Sequence, residues 1–210
     1  MSTTKPKILI YCDSPVFGGS DLLIAHLLND DSLRSKFEFS LACRSHPRFD
    51  AGLARALRVA VPTTKFEFPD RVAMVESLAA RLPAAAMLPI KAALRAFDLL
   101  LFPYEVHVLR RLIAAQRPAL VHVNNGGYPG ALGARAAAIA GRLAGTRVLM
   151  TVHNLARPSR AWNPFEKLID RWVGSSCATA PMLPAPMVST RSPSVRDGET
   201  WFSTSPRVGI

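Results

Sequence analysis

The stretch KILIYCDSPVFGGSDLLIAHLL, residues 7–28, decides the fold. Within Lys7–Tyr11 the lysine is followed by an uncharged run of branched, apolar and aromatic residues. Such a run reads as a short strand buried on both faces. Cys12-Asp13-Ser14-Pro15 is a turn cluster that ends it. Phe17-Gly18-Gly19-Ser20-Asp21 comes next, and the pattern Leu22, Leu23, Ala25, His26, Leu27 then predicts a helix with Ser20 or Asp21 as its N-cap. The first unit is therefore strand, glycine-rich loop, helix.

The same alternation continues outward. FEFSLAC, residues 37–43, predicts a second strand, residues 50–57 a short helix, and residues 65–68 a short third strand. Residues 72–116 are rich in Ala and Leu and helical in character, with breaks expected at Pro83, Pro89 and Pro103. ALVHV, residues 119–123, predicts a fourth strand closed by Asn124-Asn125-Gly126-Gly127. An Ala-rich helix over 130–143 leads to RVLMTV, residues 147–152, a fifth strand ending at His153-Asn154. Asn163-Pro164 opens a further helix, with proline at the favoured first-turn position. Strands alternating with helices imply βαβ units, so the predicted class is α/β: a Rossmann-like three-layer domain with a mostly parallel sheet. Beyond Cys177 no period is visible, and Pro181, Pro184, Pro186, Pro193 and Pro206 are scattered among Ser and Thr. The expectation is one domain over 5–177 and a disordered or aberrant tail over 178–210.

Composition narrows the function classes. The 210 residues carry 26 Lys+Arg against 15 Asp+Glu, a net charge of +11 and a pI near 10.4. With 49% hydrophobic and 20% charged residues the chain falls in the globular range, which excludes wholesale disorder. The basic residues are dispersed, and no zinc-finger, basic-zipper or RNA-binding aromatic signature is present, so nucleic acid is not the expected partner. An anionic membrane surface or a phosphorylated small substrate fits the charge better, and a coding bias toward Arg competes with both. Three cysteines, at 12, 43 and 177, form no disulfide framework or zinc pair and suggest a reducing compartment. The polar start, Met1–Lys7, gives no secretory signal, and residues 82–101, the most apolar region, are interrupted by Pro83, Pro89, Lys91, Arg95 and Asp98.

Ligand sites in parallel sheets lie at the carboxyl ends of the strands. Gly18-Gly19, Asn124-Asn125-Gly126-Gly127 and His153-Asn154 all follow strands. Glycines between a strand and a helix let a backbone approach phosphate at a helix N-terminus, whereas a plain tight turn also accommodates them. The dinucleotide fingerprint and the Walker lysine are both absent. His153, after a central strand, can bond a hydroxyl or phosphate or move a proton. His122, inside ALVHV, reads as a core histidine. The asparagines suit either hydroxyl recognition or an ordinary loop. No nucleophile elbow is present, and Cys12 has no histidine partner by spacing. Residues 72–112 alternate Arg81, Lys91, Arg95, Arg110 and Arg111 with apolar residues, which suits a membrane surface or helices packed on the sheet with solvated arginines outside.

With these elements in place the chain resembles the N-terminal domain of retaining GT-B glycosyltransferases of the subfamily 4-like kind. The residues that carry the resemblance are KILIYCDSPVFGGSDLLIAHLL, PALVHVNNGG, TRVLMTVHN and FEKLIDRWVGSSCA, covering roughly residues 5–178. The resemblance implies transfer of a sugar from a nucleotide-sugar donor to a sugar or lipid-linked acceptor hydroxyl, with retention, no cofactor and no metal. It places Gly18 and Gly19 near donor diphosphate and acceptor, Asn124 and Asn125 facing the acceptor, and the catalytic His153 beside the transferred sugar. It also implies a second Rossmann-like domain with the basic pair and glutamates that hold the donor. The residues after Ala178 do not continue that pattern, so the expectation is a truncated or frame-shifted half, or a half-enzyme paired with another chain, inactive alone. The alternative is a non-catalytic Rossmann-like module for a membrane surface or partner protein. The expected location is cytoplasmic, with peripheral contact to the inner face of the membrane if the acceptor is a lipid.

Overall fold

Burial on both faces sets the position of the first strand, β1 (Lys7–Cys12). Leu9 and Tyr11 pack into one apolar cluster and Ile10 and Cys12 into another, as the twofold period of a strand requires. The computed structural model describes residues 4–69, 71–127, 132–153 and 164–177. The tail expected over 178–210 lies outside them, as does Asn154.

From β1 the chain forms α1 (Gly19–Asn29), α2 (Asp31–Lys36), β2 (Glu38–Arg44), α3 (Pro47–Ala56), β3 (Thr63–Phe66) and α4 (Arg71–Ala79). It continues through α5 (Ala84–Gln116), β4 (Leu120–Asn125), α6 (Leu132–Leu143), β5 (Arg147–Val152) and α7 (Pro164–Ser176). The strands form one five-stranded sheet in the order β3-β2-β1-β4-β5, every pair parallel. Ile24 and Leu28 of α1 and Phe49 and Leu53 of α3 cover one face; Leu109 and Ile113 of α5, the alanines of α6 and Ile169 and Val173 of α7 cover the other. The domain is thus a three-layer α/β Rossmann-like sandwich.

Three details depart from the sequence reading. Helix α1 begins at Gly19 with Gly18 as its N-cap, one turn before Asp21. Asp21 still serves the helix end from the third position, where its carboxylate accepts the Gly18 N–H at 3.0 Å. Pro89 and Pro103 do not break α5, which runs for 33 residues through both. Each proline costs a helix hydrogen bond and a local clash. Leu101, Phe102, Leu109 and Ile113, buried on that helix, offset the cost. The short α2 carries no buried residue, so no apolar period announces it; it forms on Asp30, whose side chain accepts the Leu33 N–H.

The topology creates the site. From β1 the chain crosses to α1 and turns toward β2. From β4 it crosses to α6, on the opposite face, and turns toward β5. The two connections leave adjacent strands in opposite directions and open a crevice at their carboxyl ends. Cys12 and Asn124 are register partners at that point.

Candidate functional site

A cavity of about 180 Å³ fills this crevice. Asp13, Ser14 and Pro15 come to it from the end of β1, Ser20 and Asp21 from the first turn of α1, and Asn124 to Gly127 from the end of β4. A larger groove of about 400 Å³ lies at the opposite rim among Lys5, Arg34, Phe37, Phe39 and Val61. The smaller cavity is the stronger candidate. It combines strand carboxyl ends, a helix N-terminus and buried polar side chains, while the larger groove lies away from the strand carboxyl ends.

Hydrogen bonds tie most of the residues singled out in the sequence into one cluster. Asp21, only 2% exposed, accepts from the Gly18 N–H on one carboxylate oxygen and from Asn124 Nδ2 on the other at 3.1 Å. Asn124 Oδ1 lies 2.6 Å from His153 Nε2. The His153 backbone N–H donates to the Asn125 carbonyl at 3.1 Å, which extends the β4–β5 ladder by one rung. Gly18, Asp21, Asn124 and His153 are therefore one connected network, and Asn125 adjoins it.

Gly18 and Gly19 are not there for a turn. Gly18 has φ −127° and ψ −169°, extended backbone open to any residue. A side chain at Gly19 would begin in open space, with nothing within 4 Å of its first carbon. Neither backbone strain nor a close approach at the first side-chain carbon calls for glycine at these two positions. The tight-turn explanation has no support in this geometry.

The two asparagines differ. Asn124 spends its whole amide inside the protein, between Asp21 and His153. Asn125, 2% exposed, uses Oδ1 on the Gly127 N–H at 3.3 Å, and its Nδ2 has no partner among the described residues. A buried N–H pair without a partner costs about 1–3 kcal/mol, so Asn125 is primed for an acceptor atom brought by a ligand. The sequence reading missed Asp13 and Asp21 as site residues. The available signal was Asp21 at the third position of a helix capped by glycine, where its carboxylate can close back on the loop.

Electrostatics sharpen the roles. Burial raises the Asp21 carboxyl above its usual range, against the opposing pull of the Gly18 and Asn124 N–H groups. Burial also pushes the Cys12 thiol well up, reinforced by the Asp21 charge, so Cys12 is a core side chain and not a nucleophile. Asp13 is held by Arg44, whose Nε donates to Oδ1 at 2.6 Å while Nη1 donates to the Phe68 carbonyl at 2.7 Å. Gly133 of α6 makes room for that carboxylate: a Cβ there would stand 2.2 Å from Asp13 Oδ2. Among the described residues no group of three His, Cys, Asp or Glu gathers to hold a metal, and no helix is long and apolar enough to cross a membrane.

His122 supplies a pH dependence. Its Nε2 meets Thr151 Oγ1 at 2.8 Å, and burial, then the neighbouring His153 charge, lowers its pKa. The folded chain then refuses a proton that the unfolded chain takes at about pH 6.5. Stability contributed by neutral His122 is full above that pH and is lost as pH falls below it. Urea midpoints measured from pH 8 to 5 should fall with pH, and His122→Gln should flatten the slope. An unchanged slope in the variant would refute this origin.

The family described as Glycosyltransferase Family 4 matches residues 52–191. No curated protein matches the chain. Among solved structures, a UDP-N-acetylglucosamine 2-epimerase of Listeria monocytogenes aligns at 12% identity and TM-score 0.51, covering 84% of this chain and 39% of that one. A second UDP-N-acetylglucosamine 2-epimerase aligns at 13% identity and TM-score 0.52, covering 83% of this chain and 40% of that one. At such identities the likeness is one of fold, that of a GT-B half, and the chain spans about two fifths of each relative's length.

Proposed function

Because the chain belongs to Glycosyltransferase Family 4, we propose that it is the acceptor-side half of a retaining enzyme that moves a sugar from a nucleotide-sugar donor to an acceptor hydroxyl. The observation that carries this reading is the polar crevice between β1 and β4, with its open helix N-terminus and the unpartnered Asn125 amide. Among its described residues the cavity is lined by Asp13, Asp21, Asn124, Asn125 and two serines but by no Lys or Arg, and of the two amides only that of Asn125 keeps a donor without a partner. That chemistry suits sugar hydroxyls, which both donate and accept, better than a diphosphate, which only accepts. In this reading the N–H groups behind Gly18-Gly19 receive the anionic or hydroxyl edge of the ligand. Asn125 donates to it, Asn124 supports the site from behind, and His153 bonds the transferred sugar as the catalytic residue. In this reading the cations that offset the diphosphate are not among the described residues that line this cavity.

The charge deficit predicts the affinity. Each missing charge-assisted contact forfeits about 1.5–3 kcal/mol. Two or three such losses move a micromolar ligand, about −8 kcal/mol, to millimolar or weaker. Calorimetry of purified 1–210 with UDP-glucose and GDP-mannose should give millimolar constants or no heat, and product assays no sugar transfer. A micromolar constant would show a complete donor site in this half and overturn the reading.

A second reading has its own observation. Phe97, Leu100 and Tyr104 of α5 stand 43%, 70% and 56% exposed at spacings that share a helix face, with Arg110 and Arg111 exposed farther along. An apolar row beside arginines suits an anionic membrane surface. Binding to phosphatidylglycerol vesicles but not to phosphatidylcholine vesicles supports it; equal or no binding opposes it.

A further inference from the structure

The hydrogen bonds around Asp21 admit one orientation of the Asn124 amide. An ionised carboxylate only accepts. Its two oxygens take the Gly18 N–H at 3.0 Å and Asn124 Nδ2 at 3.1 Å, and the Ser14 hydroxyl, which can turn to donate or accept, bonds the same carboxylate. Asn124 Oδ1 is thereby turned to His153, 2.6 Å from Nε2. An amide oxygen cannot donate, so Nε2 carries the proton, and in the neutral ring the lone pair lies on Nδ1.

The geometry points to Asp21 as a positioning residue that, through Asn124, fixes His153 as the Nε2–H tautomer and presents Nδ1 as the acceptor for a hydroxyl proton of the sugar ligand. The ligand part rests on the reading of His153 as a sugar-facing group; the tautomer part does not. The same carboxylate anchors the Gly18 N–H, so one buried charge sets both the glycine loop and the histidine.

Neutralising that charge reverses the chain of donors. In Asp21→Asn the new side chain has one acceptor, and the fixed Gly18 N–H claims it. Its amide N–H₂ then faces Asn124, which must turn to offer Oδ1. Asn124 Nδ2 now faces His153, whose Nε2 must accept, and the ring proton moves to Nδ1 by exchange with solvent. No atom is gained or lost.

Long-range nitrogen–proton correlation of the five histidine rings at pH 7.5 reads this directly, with His153 identified by its loss in His153→Gln. The wild-type ring should show Nε2–H, and Asp21→Asn should show Nδ1–H. Asn124→Ala cuts the relay and serves if Asp21→Asn does not fold: the ring should then show both tautomers. In that background Asp21→Asn should add nothing to the His153 signals. A wild-type ring with Nδ1–H, a folded Asp21→Asn variant that keeps Nε2–H, or a single Nε2–H tautomer in Asn124→Ala overturns the proposal. Because no ligand is present, this outcome is independent of nucleotide-sugar binding. Failure of binding with the tautomers as stated counts against the proposed function and not against the relay.

Discussion

Arg44→Ala should lower the unfolding free energy by about 3–5 kcal/mol. The Arg44 side chain is 13% exposed and its partner Asp13 only 2%, so removing the guanidinium takes a charged donor from a carboxylate held almost wholly inside the protein. The loss is compounded at Phe68, whose carbonyl is held by the same guanidinium just after β3. Gly133 restricts relief, because α6 packs its bare backbone against the Asp13 carboxylate. Urea denaturation should show the midpoint falling with little change in slope. The double variant Asp13→Ala with Arg44→Ala should recover part of the loss, since the buried carboxylate that lost its guanidinium is removed with it. A single-variant loss below about 1 kcal/mol would mean that Asp13 is solvated in a way this packing does not allow.

Gly19→Leu should do the opposite: little to stability and much to binding. With nothing within 4 Å of the added carbon, the fold should absorb the side chain at a change within about 0.5 kcal/mol. The isobutyl group would project into the space before the α1 N-terminus, where the ligand is proposed to lie. Binding of UDP-glucose or GDP-mannose should weaken at least about tenfold, or 1.4 kcal/mol. Retained affinity with an unchanged melting temperature would remove Gly19 from the site. A collapsed melting temperature would instead show that the glycine is structural.

The contrast between these residues shows what the sequence could reveal. The strands were legible because each is a short apolar run between turn residues; β1, β2 and β5 lie within about one residue of their expected bounds, while β4 runs two residues farther and takes in Asn124 and Asn125. The GT-B likeness was legible in the same runs and their connecting loops. Helix α5 was not, because proline signals a break and only burial of the residues around Pro103 shows why the helix persists. The site was half legible. Strand-end position pointed to Gly18, Gly19, Asn124, Asn125 and His153, but nothing local distinguishes Asn124 from Asn125. Alternation across β4 turns Asn124 toward Cys12 and Asp21, so its amide is spent, while the next residue keeps an unpartnered N–H₂. Asp13 and Arg44 are 31 residues apart, and only the pairing of β1 with β2 joins them.

Amide chemical-shift mapping during titration with UDP-glucose tests the central claim most directly, that the β1–β4 crevice is one half of a sugar-transfer site. The account predicts millimolar binding, with shifts concentrated at Gly18, Gly19, Asn125, Gly126 and His153. Micromolar binding would contradict it, and so would shifts concentrated around Lys5, Arg34 and Phe39 at the opposite rim.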